Sequence, residues 1–252
     1  MNFRNRTAAL AFLCVPVSGA FSAVTFTSRH SEAFNQRQET FAGFDYYNES
    51  WTFDQFGTGS VAMTNYSHTD TVTNAGISGT FSAYKHTGAS NHISDINGAS
   101  LQANFTVSGS VSASIKLNGG SSEDFYEHAK PELANAYFVI YDASTNAVVF
   151  DSWSLATFVY DPVSFHSSRT WANITTSVVL GAGNYRLLVG ANGNSQYYTG
   201  FGQGSAGGAN FTTSMTFANI PAPNAAALLG VAAALASSRR RRGWRPCLSN
   251  GQ

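Results

Sequence analysis

"LQANFTVSGSVSASIKL", residues 101–117, alternates without a break. Every odd position from Leu101 to Leu117 is apolar or glycine, with Phe105, Val107, Val111 and Ile115 the bulkiest in the middle. Every even position, from Gln102 to Lys116, is polar. A side-chain period of two belongs to a β-strand, whose successive residues point to opposite sides. One face therefore meets a core and the other meets solvent. Seventeen residues are long for one strand, so a kink or bulge is expected near Gly109.

The same pattern recurs downstream. "NAYFVIYDASTNAVVFDSW" reads as two β-rich runs about a Ser-Thr-Asn turn, a hairpin from roughly Ala136 to Trp153. "RTWANITTSVVL" and "NYRLLVGA" flank Gly181–Asn184 as a second hairpin, with Tyr185, Leu187, Val189 and Ala191 on one side. "NFTTSMTF" (Asn210–Phe217) puts Phe211, Thr213, Met215 and Phe217 together. Earlier, "VTFTS", "SWTFDQF", "SVAMTNY" and "GISGTFSAY" are further strands. Between them no stretch has a helical period. Eight to ten strands with Gly, Asn and Ser turns predict an all-β, two-sheet antiparallel sandwich of jelly-roll form, followed by a C-terminal hydrophobic helix. An up-and-down barrel is the alternative. The strands are too uneven and the loops too polar for an outer-membrane barrel.

The ends of the chain differ from this body. "MNFRNR" places Arg4 and Arg6 before the apolar "TAALAFLCVPVSGAFSA", which closes on small residues. That is the layout of a secretory signal peptide, residues 1–23. Ser18 and Ala20 suit cleavage after Ala20, and cleavage after Ser22 or Ala23 remains an alternative. At the other end, Pro221 and Pro223 stop strand structure because each lacks an amide donor and forces its predecessor to extend. Ala225–Ala236 is then an uninterrupted apolar run, closed by Arg239, Arg240, Arg241 and Arg242. Twelve residues fall short of the roughly 20 that span a bilayer, but the arginines supply a stop on the cytoplasmic side. A frayed tail with a nucleic-acid-type basic patch is the rival reading.

These features in this order resemble the PEP-CTERM sorting signal of exported proteins in Gram-negative bacteria. The match covers residues 220–242, with Pro221, Ala222 and Pro223 as the motif, Ala225–Ala236 as the helix and the four arginines as the membrane stop. Ala222 stands where that family carries Glu, and a tail, residues 243–252, follows the arginines. The resemblance implies a membrane-embedded exosortase-type transpeptidase as a partner and a transient inner-membrane tether. It also implies release of the domain 24–219 to the cell surface or extracellular matrix.

Charge and cysteines agree with export. Between Val24 and Ile220 lie seven basic residues and all fourteen acidic ones, a net charge of −7 hidden under a balanced total. An acidic body is a poor partner for nucleic acid, and none is expected. Cys14 and Cys247 sit in the two terminal segments, so processing at both ends leaves no thiol and no disulfide.

Local motifs for chemistry are sparse. "GQGSAG" (Gly202–Gly207) has the spacing of a nucleotide-binding turn but precedes a strand instead of a helix, so it reads as a glycine loop. "SSEDFYEHAKPE" gathers Glu123, Asp124, Glu127, His128 and Glu132, a set that would hold a cation only as a helical turn; it reads as an acidic loop. "DING" (Asp95–Gly98) lacks later calcium-loop carboxylates and reads as a turn. Neither G-x-S-x-G nor H-E-x-x-H occurs, and the six histidines are scattered. Neither a cofactor nor a catalytic residue is assigned, and no metal. The expectation is a non-enzymatic exported surface or matrix protein. Its first alternative is a carbohydrate-binding module, with Tyr197, Tyr198 and Trp51 as the sugar-stacking candidates and Trp153, Tyr46 and Tyr47 behind them. Its second is a hydrolase built from distant residues.

Overall fold

The computed structural model describes residues 23–39, 45–63, 66–84, 93–125, 134–198 and 203–220. The signal peptide, the Pro221–Pro223 motif, the apolar run, Arg239–Arg242 and the tail all lie outside the described residues. Among those described there are thirteen strands. In chain order, β1 (Val24–Glu39), β2 (Asp45–Phe53), β3 (Gly57–Ala62), β4 (Tyr66–Thr73) and β5 (Gly76–Ala83) come first. The long strands β6 (Ile93–Val107) and β7 (Val111–Phe125) follow. Then come β8 (Asn135–Asp142), β9 (Val148–Asp151), β10 (Thr157–Asp161), β11 (His166–Leu180), β12 (Gly183–Tyr198) and β13 (Gln203–Asn219). The chain is all-β, with one 3-10 turn at Ser152–Leu155 as the sole helical element among the described residues.

The strands form two antiparallel sheets. The first runs β2-β1-β6-β12-β8-β9, and the second β3-β4-β5-β13-β7-β11-β10. They share hydrogen bonds at one corner, where Asn194–Tyr198 of β12 pairs with Gln203–Gly207 of β13. Elsewhere they stack, with β4 across from β1 and β6, β5 across from β6 and β12, and β7 and β13 across from β8. A twisted sheet of thirteen strands cannot bury one face on itself while flat, and doubling into two layers solves that. Among the described residues the outer edges β2, β9, β3 and β10 do not pair with one another, so the described strands do not close into the up-and-down barrel.

Residues 101–117 supply parts of two strands, one in each sheet. The expected single kinked strand is corrected: it breaks at Ser108–Ser110 and crosses the sandwich. Val107 and Val111 both stay buried, because a three-residue link preserves the parity of the alternation while changing the layer. The second expected hairpin is corrected in the same way. β11 pairs with β7 and β10, whereas β12 pairs with β6 and β8, so Gly181–Ala182 is another crossing between layers. The β8–β9 hairpin forms as expected. Asp142 fixes its turn by accepting from the Ser144 and Thr145 amides at 2.8 and 3.0 Å, and Asn146 takes the left-handed conformation at φ 58°.

Three stretches read as loops or turns are strand. Asp95–Gly98 lies within β6, bonded on both sides by β1 and β12. Ser121–Phe125 is the end of β7, between β11 and β13. Gln203–Gly207 opens β13. In each case ladder bonds to two neighbours outweigh the turn preference of Gly, Asn and Asp, which is a weak local bias. β4 was missed by the alternation, since its inward positions are Tyr66, His68, Asp70 and Val72.

The core is a run of inward aromatic and aliphatic side chains. Phe105 sits 5.4 Å from both Phe26 and Tyr185 and 5.6 Å from Phe217, joining β1, β6, β12 and β13 at one end. Trp171 is fully buried edge-on to Phe211 at 5.2 Å, and its indole N–H donates to the Ser152 carbonyl at 2.9 Å.

Candidate functional site

Alternation that fills the core with apolar residues also decides what the opposite face carries. On β4, β5 and the neighbouring parts of β13 and β7 in the second sheet, the outward positions are mostly Ser, Thr or Asn. Register lines them up across strands. Ser60, Thr69, Thr80, Thr212 and Asn118 stand side by side on five neighbours. The adjacent row is Thr58, Thr71, Ser78, Ser214, Lys116 and Thr175. Hydroxyls bond along these rows, Ser60 to Thr69 at 3.0 Å, Thr58 to Thr71 at 2.9 Å and Thr80 to Thr212 at 3.2 Å. Each such cross-strand pair contributes on the order of 0.2–1 kcal/mol.

From β4 onward these rows line a groove of about 550 Å³. A second depression of about 440 Å³ continues along the same strands, bordered by Gly120–Ser122, Gly208–Asn210 and Tyr84, which is 44% exposed. From Lys116 to Ser122 the two extend over roughly 20 Å at about 3.3 Å per residue. That is the length of a polymer segment, not of a small metabolite.

One wall of the groove is built by an irregularity. Between Trp171 and Ile174 the register of β11 against β7 shifts by a bulge, and Asn173 adopts φ 52°. A non-glycine residue held there is strained, and bulges re-aim side chains at functional surfaces. The Asn173 amide donates to Asn118 Oδ1 at 3.3 Å, which leaves the Asn118 amino group as a donor at the groove. Next to it Gly119 has φ 131°, and a Cβ there would collide with the Asn210 carbonyl oxygen of β13.

A second polar cluster lies inside the sandwich. Arg29 and Ser31 on β1 meet His68 and Asp70 on β4, so the cluster bridges the two layers. Asp70 accepts from the Arg29 guanidinium, from Ser31 Oγ at 2.5 Å and from His68 Nε2 at 2.6 Å. Arg29 also donates to the Gln55 and Gly57 carbonyls, tying down the β2–β3 connection, and its guanidinium lies 4.4 Å over the Phe53 ring. Burial, and secondarily the Arg29 charge, pushes the His68 pKa down to about 4. The ring is therefore neutral at pH 7, with the proton on Nε2; Nδ1 has no hydrogen-bond partner among the described residues.

Ser, His and Asp together invite comparison with a hydrolytic triad. The order is wrong for one, because Ser31 donates to Asp70 and does not touch His68. Ser31 is also completely buried. A nucleophile must lie within reach of the base and of substrate, and this one has neither. The cluster is a clamp between layers.

The remaining candidates from the sequence are dispersed. Trp51 on β2 is half-buried, stacked parallel to Phe53 at 6.0 Å and tilted over His68 at 5.5 Å. Trp153 carries the Arg169 guanidinium 3.4 Å over its ring. Tyr197 and Tyr198 end β12 opposite Gly204 and Gln203, and Tyr46 and Tyr47 lie on β2 opposite Gln38 and Arg37; their side chains fall outside the described residues. Asp124, grouped above with His128, instead pairs with His166 at 2.7 Å across β7 and β11. His128, Glu127 and Glu132 lie outside the described residues. The groove residues Lys116, Asn118, Asn173 and Tyr84 were not singled out. Lys116 alone carried a signal, as the one charge on the polar face of residues 101–117.

No protein-family model matches this chain, and no curated protein does.

Proposed function

We propose that this is an exported, non-enzymatic sandwich protein of the cell surface or extracellular matrix. It is delivered through its C-terminal PEP-CTERM-like signal and holds polysaccharide along the outer face of its second sheet. The jelly-roll form applies in the loose sense of two antiparallel layers between which the chain crosses at β6–β7 and β11–β12. The reading is carried by one observation, the groove floored by rows of hydroxyls and amides with almost no charge. Sugars present hydroxyls in repeating order, and a lattice of Ser, Thr and Asn offers donors and acceptors at about 4.8 Å between strands. Tyr84 at the end of the track supplies a flat ring for stacking. Export rests on the two terminal signals. Exosortase-type processing and a transient inner-membrane tether follow from the same resemblance.

Two measurements test this. The protein recovered from its host's envelope and medium is expected to end near Pro221–Asn224, without the arginines, by intact mass; a product running through Gln252 overturns the sorting claim. The same protein is expected to be retarded in affinity electrophoresis through gels containing matrix polysaccharides. Tyr84→Ala then weakens binding roughly tenfold, equal to about 1.4 kcal/mol. Unretarded migration through every polysaccharide tried would remove the binding role.

A further inference from the structure

Among the described residues, Lys116 is the one basic side chain lining the 550 Å³ part of the groove, and no described residue engages it. Among the basic residues whose side chains are described, Arg29 is locked onto Asp70, and Arg169 lies over Trp153. Arg186 covers the Tyr141 ring at 5.0 Å and donates to Asn146 at 3.3 Å. Lys116 alone among them has neither an ion pair nor a ring contact nor a side-chain hydrogen bond. It stands exposed between Ser214 and Thr175 in the hydroxyl row, near the middle of the groove.

Its surroundings make the placement unusual. The body carries a net charge of −7, so a lysine on its surface has carboxylates to choose from. Among the described residues no exposed carboxylate lines the groove. Asp70 borders the groove only through its backbone, its carboxylate being turned into the core and fully buried. Asp124 is beyond the second depression, paired with His166. Two residues along β7, on the same outward face, Asn118 offers its amino group, set in place by the strained Asn173. The two positions are thus about 7 Å apart along one strand, with Ser214, Thr175 and Thr212 as their neighbours on the adjoining strands.

We propose that the groove takes an acidic polysaccharide, one carrying carboxylates on its sugar units, and that Lys116 is the residue that reads them. This rests on the polysaccharide reading above and narrows it. The hydroxyl rows bind the sugar backbone whatever its charge, while the Lys116 ammonium accepts one carboxylate per bound segment. Asn118 donates to an adjacent hydroxyl or carboxylate oxygen. The negative body excludes polyanions from the rest of the surface, so the charge contact is confined to the groove.

The test compares two probes, a uronic-acid oligosaccharide and its neutral counterpart of the same linkage and length, by titration calorimetry with the full protein. Wild type is expected to favour the uronate. Lys116→Gln loses about fivefold in affinity for the uronate, the scale of one exposed ion pair, and a smaller factor for the neutral probe. Lys116→Arg retains the preference. Lys116 is exposed, so the variants fold, and matching melting curves establish it. Equal losses on both probes, or no loss on either, would overturn the assignment to Lys116 while leaving polysaccharide binding in place. Absence of binding to both probes by the wild type overturns the proposal together with the reading beneath it.

Discussion

Replacing Asp70 with alanine is expected to lower the unfolding free energy by about 3–5 kcal/mol, the range for removing one partner of a buried ion pair. Arg29 would keep its charge with no exit to water, since both side chains are completely buried. Ser31 and His68 would lose their shared acceptor at the same time. Because Arg29 is on β1 and Asp70 on β4, the loss falls on the contact between layers and on the β2–β3 connection that Arg29 also holds. Chemical denaturation of Asp70→Ala beside the wild type measures it. A change below about 1 kcal/mol, the scale of an exposed pair, would mean that the clamp is not closed in solution. Replacing Arg29 and Asp70 together by apolar residues of similar volume should recover much of the loss, since it leaves no orphaned charge.

Acid is expected to weaken the same clamp. His68 titrates near 4 in the folded chain and near 6.5 when unfolded. Its folded value is depressed, so the unfolded state binds the proton first. Stability is complete above about pH 6.5, falls as the pH drops, and reaches its full loss near pH 4. The difference of about 2.5 pH units corresponds to about 3 kcal/mol. The physical cause is burial of the ring, with the Arg29 charge second, and Nδ1, which protonation would fill, has no hydrogen-bond partner among the described residues. Denaturant melts between pH 7.5 and pH 4 follow the effect. His68→Gln keeps a neutral donor towards Asp70 and should flatten the profile over that interval. A profile unchanged by this substitution would assign the acid sensitivity to other groups.

The clamp and the groove were unequally visible in the residues. His68 and Asp70 are inward positions of a strand with perfect alternation, yet their polarity made β4 look like loop. Only Arg29, on a strand of the opposite sheet, turns them from misplaced polar residues into a satisfied network. The groove was half visible. Thr212 and Ser214 are the even positions of the alternation in Asn210–Phe217, and Lys116 was on the polar face of residues 101–117, whereas Thr69 and Thr71 lie on the strand that the alternation missed. That Thr80 and Thr212 would touch across 132 residues of chain was not readable. Nor was the positive φ of Asn173, which comes from a bulge set by the β7–β11 register.

The targeting signals proposed for the two ends are linear readings of charge, apolar length and proline over some twenty residues, and they draw on no fold. The alternation likewise determined, by itself, that the chain is all-β and which side chains face in or out, because a strand's period of two is a property of its own backbone. Which strands became neighbours was decided only in three dimensions. Residues 101–117 keep their parity through Ser108–Ser110 whether the chain kinks, turns back or crosses to the other sheet, so the pattern is blind to the layer. The choice follows from closing two twisted sheets over one core. That closure also brought Arg29 to Asp70 and set Lys116 among hydroxyls.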